Sequence, residues 1–429
     1  MPTNRLDGFF GFTGFGESHG PAIGLVIDSP PPNIDFPHAA LQEALARRNS
    51  STPYKTPRLE TDEYEILSGV FEGKTTGMPL CIIVRSHDAR SEDYEALRDV
   101  FRPGHADFAW YQKYHIYDFR GGGRASGRET LARVIAASFT EEILAPIKIQ
   151  TRCVQVGKMR ITGDVWDSDN PFHWPDEHSS IALYSYLDEV QKEGDSLGGI
   201  IELRAMDVPA GLGDPVYAKL SANIAKAMLS IPSVKGISFG DGETLAAMKG
   251  SEANDQMTKD GYLSNHQGGI NGGVSNGNEL FFRLILRPVS SVSLPQRTID
   301  KSGNDRVISI KGRHDSCHIP RVIPVAEAML KLCLADAIQH QRLIRGEASS
   351  LESFRESLDA LDEELLLLLY RRRQIVQQVK DYKLLHCLPN RDAAREEAIL
   401  KRVEAIACEL ELNPKLAREI MRLGLKICQ

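Results

Sequence analysis

Glycine divides this chain. Of its 35 glycines, 34 lie at or before Gly346, and only Gly424 lies beyond. Glycine serves tight turns and close backbone approach, and it is costly inside helices. At 429 residues the chain is also longer than one ordinary domain. The distribution therefore predicts two architectures in series. Before the boundary, short β-rich runs at 65–70, 79–84 and 199–204 alternate with helical stretches at 130–143 and 216–227. Beyond it, Phe354, Leu358, Leu361, Leu365 and Leu368, then Ile375, Val379 and Tyr382, take the four-and-three spacing of a long helix packed on another helix. Run from Leu351 to Leu385, that helix is about 50 Å long and needs a partner to bury its seam. Pro389 breaks the run, Asp392 is placed to cap a second helix through Glu409, and Pro414 opens a third. The expected organisation is a mixed domain at 1–345, a linker at 346–350 and a helical unit at 351–429.

Charge narrows the partners. Against 51 Lys and Arg stand 58 Asp and Glu, so the net charge of -7 argues against a general nucleic-acid or anionic-membrane binder. Any anion site is then built locally. No apolar run is long enough to span a bilayer, and the start M-P-T-N-R-L-D lacks the order of a signal peptide, so the expected compartment is the cytoplasm. The seven cysteines form no C-x-x-C and read as free thiols, with no metal site and no disulfide framework.

Chemistry concentrates in residues 101–129, F-R-P-G-H-A-D followed by R-G-G-G-R-A-S-G-R-E. Arginine forks fit carboxylate and phosphate oxygens, His105 can exchange a proton near neutrality, and Gly121, Gly122 and Gly123 admit backbone where a side chain would block it. The mixture suits a small polyanion undergoing acid or base chemistry. Three further constellations share the domain. They are G-E-S-H-G with Ser18 and His19; S-N-H-Q-G-G-I-N-G-G at 264–273 with R-P-V-S-S-V at 287–292; and K-G-R-H-D-S-C-H-I-P-R-V-I-P-V-A-E at 311–327 with Arg313 and Asp315.

In this order the segments resemble the chorismate synthase family over roughly residues 7 to 343. The resemblance implies an α+β fold with helices between antiparallel sheets, a homotetramer, and a lyase. That enzyme converts 5-enolpyruvylshikimate 3-phosphate to chorismate by 1,4-elimination of phosphate with reduced FMN, NADPH being a candidate reductant. It implies His19, His105 and Asp315 as catalytic groups, and substrate contacts from Ser18, Arg48, Arg102, Ser126, Arg128 and Arg313. Flavin contacts would come from Arg124, Ala125, Ser126, Pro232, Ser233, Gly272, Arg287, Pro288, Val289, Ser290, Ser291 and Arg313. Arg48 is the candidate NADP contact, and Ser126 also suits a helix N-cap. The chain departs from the family after Arg48, where N-S-S-T-P-Y-K replaces an Arg-rich stretch and Lys55 supplies a point charge. It departs again at Pro232-Ser233, Arg287 and Val289, so an altered affinity for substrate or flavin is expected.

The tail resembles the all-helical chorismate mutase family over Leu351 to Gln429. Arg372 occupies a seam position, and Lys383, eleven residues on, projects within about 20° of it. A charge in a seam is costly unless paired. The resemblance makes these cations part of an anion pocket with Arg395, Glu396, Asp392 and, from a second protomer, Arg355. The pocket would hold chorismate for its rearrangement to prephenate, an isomerase reaction driven by orientation and electrostatics. The serine expected on the third helix falls at Cys428, and the chain ends at Gln429. The alternative function for the tail is a non-catalytic module that binds chorismate or a product, or dimerises, and so regulates the synthase.

Overall fold

The computed structural model describes residues 4–28, 30–49, 62–86, 91–161, 166, 170–174, 177–310, 315–345, 351–386, 389, 393–409 and 412–427. Side chains are described for all of these except 91–93, 177–178, 351–357, 359–361, 363–364, 393 and 409. The chain forms two compact units, Met1–Gln341 and Arg342–Gln429.

Two five-stranded antiparallel sheets frame the first unit. One runs in the order Arg5–Leu6, Phe12–Phe15, Ala22–Ile27, Leu80–Arg85, Tyr64–Ser68. The other runs Val234–Phe239, Leu280–Leu286, Gly199–Met206, Lys148–Val156, Met159–Arg160. Strand alternation sorts the second sheet: Ile201, Leu203, Phe282 and Leu284 are fully buried, while Glu202, Arg204 and Arg283 take the opposite face. On that face Glu202, 1% exposed, accepts from Arg152 at 2.8 Å and Arg283 at 2.6 Å.

Helices fill the layer between. The Leu131–Ala137 helix packs on the Ala22–Ile27 strand and buries six of its seven residues, and the Leu220–Leu229 helix packs on the Val234–Phe239 strand. The Ile319–Ile344 helix is buried without interruption from Val322 to Leu330. A helix buried all round is covered on more than one side, and each such large apolar side chain contributes about 2 kcal/mol of transfer free energy. Helices between antiparallel sheets are thus the architecture of this unit. Pro320 falls in the first turn of the last helix, where a missing N–H costs least, whereas Pro324 lies inside the helix.

Two helices differ from the sequence pattern. The run expected at 130–143 stops at Ala137 and resumes as Glu141–Leu144, because Ser138 and Thr140 turn their hydroxyls onto the carbonyls of Ile135 and Ala137, both at 2.7 Å. The helix expected from 216 begins at Leu220, since Val216 takes a left-handed φ of 69°. Cys81, Cys153, Cys317, Cys333 and Cys408 are free thiols, and burial raises Cys317 and Cys333 to about 12.

The second unit holds the helices Leu351–Leu385, Ala393–Glu409 and Pro414–Ile427. Asn413 caps the third, its side-chain oxygen accepting from the N–H groups of Lys415 at 3.1 Å and Leu416 at 3.2 Å. Arg418 ties the second and third together through Glu397 at 2.8 Å and Glu404 at 3.1 Å. Gly424, the tail's one glycine, stands where a Cβ would meet Leu369 at 3.1 Å, which lets the third helix close on the first. The seam read from the sequence is not the covered face. Leu365, Leu368, Ile375, Val379 and Tyr382 are exposed, whereas Leu369, Arg372, Val376, Lys380 and Lys383 are half-buried.

Candidate active site

The glycine triplet builds the centre. Gly121, Gly122 and Gly123 take φ values of 57°, 84° and 53°, a left-handed run that residues with a Cβ resist. A side chain at Gly121 would overlap the His19 ring, and one at Gly122 would stand 3.6 Å from Arg102 Nη2. The triplet therefore lies against the first histidine on one residue and the R-P-G-H turn on the next. Ser18 donates its backbone N–H to Gly123 O at 3.2 Å, and the Ser126 and Ser18 hydroxyls are 3.1 Å apart. Arg124 donates to the carbonyls of Gly16 and Gly14, both at 3.2 Å, so it clamps the loop that carries His19. Tyr94 meets the His19 ring edge-on at 5.1 Å.

The R-P-G-H turn carries the second histidine. His105 donates its backbone N–H to Arg102 O at 3.2 Å, and its Nε2 lies 3.1 Å from Ser291 Oγ. Ser290 donates to Gly104 O at 3.0 Å and itself accepts from Arg287. Arg287 in turn donates its backbone N–H to Ser233 O at 3.0 Å, and burial lowers the pKa of its guanidinium. Ser233 holds a left-handed φ of 77°, unusual for a side-chain residue, with His318 Nε2 2.6 Å from its hydroxyl. Burial lowers His318 to about 4, so the ring is neutral at physiological pH. Val289 accepts from Ser196 at 2.6 Å, and Asp315 pairs with Arg321 at 3.2 Å. Pro232 precedes Ser233, and Pro288 follows Arg287, as the backbone that joins these contacts.

The predicted arginines are not alike. Arg102 is 3% exposed and bidentate to Asp107 at 2.7 and 2.8 Å. Its charge reaches a ligand only with that carboxylate alongside. Arg48 donates to Thr130, Gly127 O and Asp62 at 3.1, 3.1 and 3.3 Å, and Arg128 donates to Arg85 O at 3.2 Å with Asp62 4.0 Å away. Ser126 caps the turn after it, accepting from Arg128 N at 3.4 Å. Ala125 closes the preceding turn onto Gly122 O at 2.8 Å. Gly272 has a φ of 62° and open space where a Cβ would stand; no described contact joins it to the histidines.

Sequence reasoning missed the partners. Asp62, Asp107, His318 and Arg321 hold the named residues in place; Asp107, His318 and Arg321 sat inside quoted motifs without a role, and Asp62 lay outside them all. Burial raises the Asp118 carboxyl, but hydrogen bonds from Arg120 and the charge of His19 outweigh it and hold the group below the usual carboxylate value. In the tail, Arg372 and Lys383 share the half-buried face, Glu396 is half-buried and Arg395 exposed. Arg313, Lys55, Asp392, Cys428, Gln429 and the side chain of Arg355 lie outside the described residues.

A helix layer between antiparallel sheets, with two histidines held by glycine turns near buried arginine–carboxylate pairs, is an arrangement suited to proton transfer on a small polyanion. Residues 10–339 match the family described as chorismate synthase, and residues 354–428 match chorismate mutase type II. A curated relative, chorismate synthase from Syntrophus aciditrophicus (strain SB), is 44% identical over 352 residues, 80% of this chain and 99% of its own length. A crystal structure of chorismate synthase superposes with a TM-score of 0.60 at 27% identity, covering 82% of this chain and 96% of that one. The chain belongs to the chorismate synthase family and carries a chorismate mutase type II domain fused behind it. It is a lyase and an isomerase of the shikimate pathway, and nothing in these likenesses favours a merely regulatory tail.

Proposed function

We propose that the first unit eliminates phosphate from 5-enolpyruvylshikimate 3-phosphate through His19, His105 and Asp315, and that the second turns the product into prephenate. The observation that carries this reading is the glycine triplet, which packs on His19 at Gly121 and on Arg102 at Gly122, one turn from His105. His19 and His105 are the proton carriers for the leaving phosphate and the flavin, each positioned through a backbone contact that a bulkier loop would displace. Asp315, with Arg321 beside it, is the base for the ring hydrogen. Arg48 and Arg128, with Ser18 and Ser126, face the anionic groups, and Asp62 between the two arginines keeps both forks in one orientation.

The donor set also fits FMN. The hydroxyls of Ser290 and Ser291, the Arg287 and Arg124 guanidiniums, and the open backbone at Gly272 match a ligand rich in carbonyl and phosphate oxygens. Reduced flavin, when bound, supplies electron density that no side chain offers. Arg48 is the proposed NADPH contact. In the second unit Arg372, Lys383, Arg395 and Glu396 surround chorismate, with Asp392 and a second protomer's Arg355. The exposed stripe from Leu365 to Tyr382 is the pairing surface, and the assembly is a cytoplasmic homotetramer.

The test is an anaerobic incubation of the full chain with the phosphorylated substrate and reduced FMN, following chorismate and prephenate in time. Prephenate forming faster than chorismate rearranges unaided is the expected result. Chorismate accumulating alone removes the second activity, and no product at all removes the first.

A further inference from the structure

The first unit also holds a cavity of about 540 Å³ that shares none of the proposed catalytic residues. Its charges are balanced. Arg47 pairs with Glu327 at 2.7 Å and Lys331 pairs with Glu141, so two cations and two carboxylates line one space. Beside them Leu144, Pro146 and Ile147 form an apolar wall. Trp166 completes it, its ring anchored by the Arg152 and Arg204 guanidiniums at 4.1 and 3.9 Å. Thr151, 3% exposed, adds a buried hydroxyl that no described residue bonds. A buried hydroxyl left without a partner costs free energy that a ligand's polar atom recovers.

We propose that this cavity binds a free aromatic α-amino acid. An anion would face Glu141 and Glu327, a cation would face Arg47 and Lys331, and either would leave a charge uncompensated. A zwitterion exchanges both pairs at once: its carboxylate goes to Lys331 and Arg47, its ammonium to Glu141 and Glu327. The Lys331–Glu141 pair is partly exposed, at 27% and 51%, so opening it costs little. The volume exceeds what a small aliphatic side chain fills, and the Trp166 and Ile147 wall suits a flat ring. Occupancy has a route to the chemistry. Arg47 and Arg48 are neighbours in the last turn of the His38–Asn49 helix, and Arg48 is bonded to Gly127 O and Asp62. Drawing Arg47 off Glu327 therefore loads the turn that positions Arg48.

Titration calorimetry on the full chain, with L-phenylalanine, L-tyrosine and L-tryptophan as probes, tests this binding without depending on the catalytic reading. The expected result is saturable heat with at least one probe. Phenethylamine and 3-phenylpropionate, which carry one charge each, should bind about tenfold more weakly. Lys331→Met and Thr151→Val should each weaken the amino acid by about tenfold, while circular dichroism and a cooperative thermal transition of the first unit like that of the parent chain confirm that both variants fold. No saturable heat up to about 10 mM overturns the proposal, as does binding that both variants leave unchanged, since the ligand would then sit elsewhere.

Discussion

The two units handle charge and apolar surface in opposite ways. In the first, arginines are buried with their carboxylates: Arg102 and Asp107 are 3% and 5% exposed, Arg48 and Asp62 10% and 5%. In the tail, leucine and isoleucine are left outside: Ile375 is 60% exposed, Leu423 54% and Ile420 62%. These described arginines of the first unit thus find their carboxylates within the same chain. The described part of the tail leaves apolar side chains of its first and third helices exposed. Point substitutions should therefore act on the first unit through lost electrostatic order, and on the tail through lost association.

The sharpest way to separate the two is by activity. His105→Ala should lower chorismate formation by about 10²- to 10⁴-fold, the range for removing a positioned acid or base, and leave chorismate-to-prephenate turnover as it was. Arg372→Ala should do the reverse, with a loss of about 10²-fold or more in prephenate formation alone. Product analysis of both variants decides it; if either substitution lowers both rates, the two sites are not independent.

The buried pair gives the next largest effect. Asp107→Ala strands the Arg102 guanidinium without a partner and should cost about 3–5 kcal/mol of unfolding free energy in a denaturant titration. Replacing both residues by apolar ones of similar size should recover most of that loss. A single substitution costing less than about 1 kcal/mol would mean that Arg102 finds another carboxylate, and the contrast between the units would weaken.

These expectations show what the sequence carried. The glycine break at Gly346 pointed to two architectures in series, and the left-handed run at Gly121 left its mark in R-G-G-G-R, whereas it was the resemblance to the synthase family that grouped Ser18, His19 and Ser126. Asp62 and Asp107 left none as partners: an acidic residue reads the same whether it solvates a surface or holds an arginine, and only the fold decides. The long helix failed in a different way. Its spacing announced an apolar face at Leu365, Leu368, Ile375 and Val379, but periodicity does not say whether the same chain or another covers it. The covered face instead carries Arg372 and Lys383, one step around the helix.

A smaller effect distinguishes the first unit by pH. Burial lowers His318 to about 4, with Arg287 and Arg321 opposing its charge and Asp315 favouring it. A histidine whose folded pKa lies below the unfolded 6.5 binds fewer protons folded than unfolded between those values, so stability rises with pH across that window. Acidifying from pH 7 to pH 5 should therefore cost on the order of 2 kcal/mol through this group. His318→Gln, which keeps a donor for Ser233, should flatten that slope when unfolding is followed at both pH values. An unchanged slope would assign the acid sensitivity to other groups.

The smallest effect on stability is expected where the effect on assembly is largest. Ile375→Glu places a charge in the exposed stripe, where the single chain makes little use of the isoleucine, so the unfolding free energy should move by no more than about 0.5 kcal/mol. If a second tail covers the stripe, the same charge would be buried without a partner, and sedimentation should show the assembly reduced in size. Prephenate formation should fall with it, because Arg355 of one tail is proposed to complete the pocket of another. Mixing this variant with Arg372→Ala chains then separates two causes. Shared pockets would leave the mixture as inactive as its parts, since Ile375→Glu chains, which keep Arg372, cannot pair to receive Arg355 from the Arg372→Ala chains. Recovery of prephenate formation would show that pairing survives the charge and that the stripe is covered by something other than a second tail.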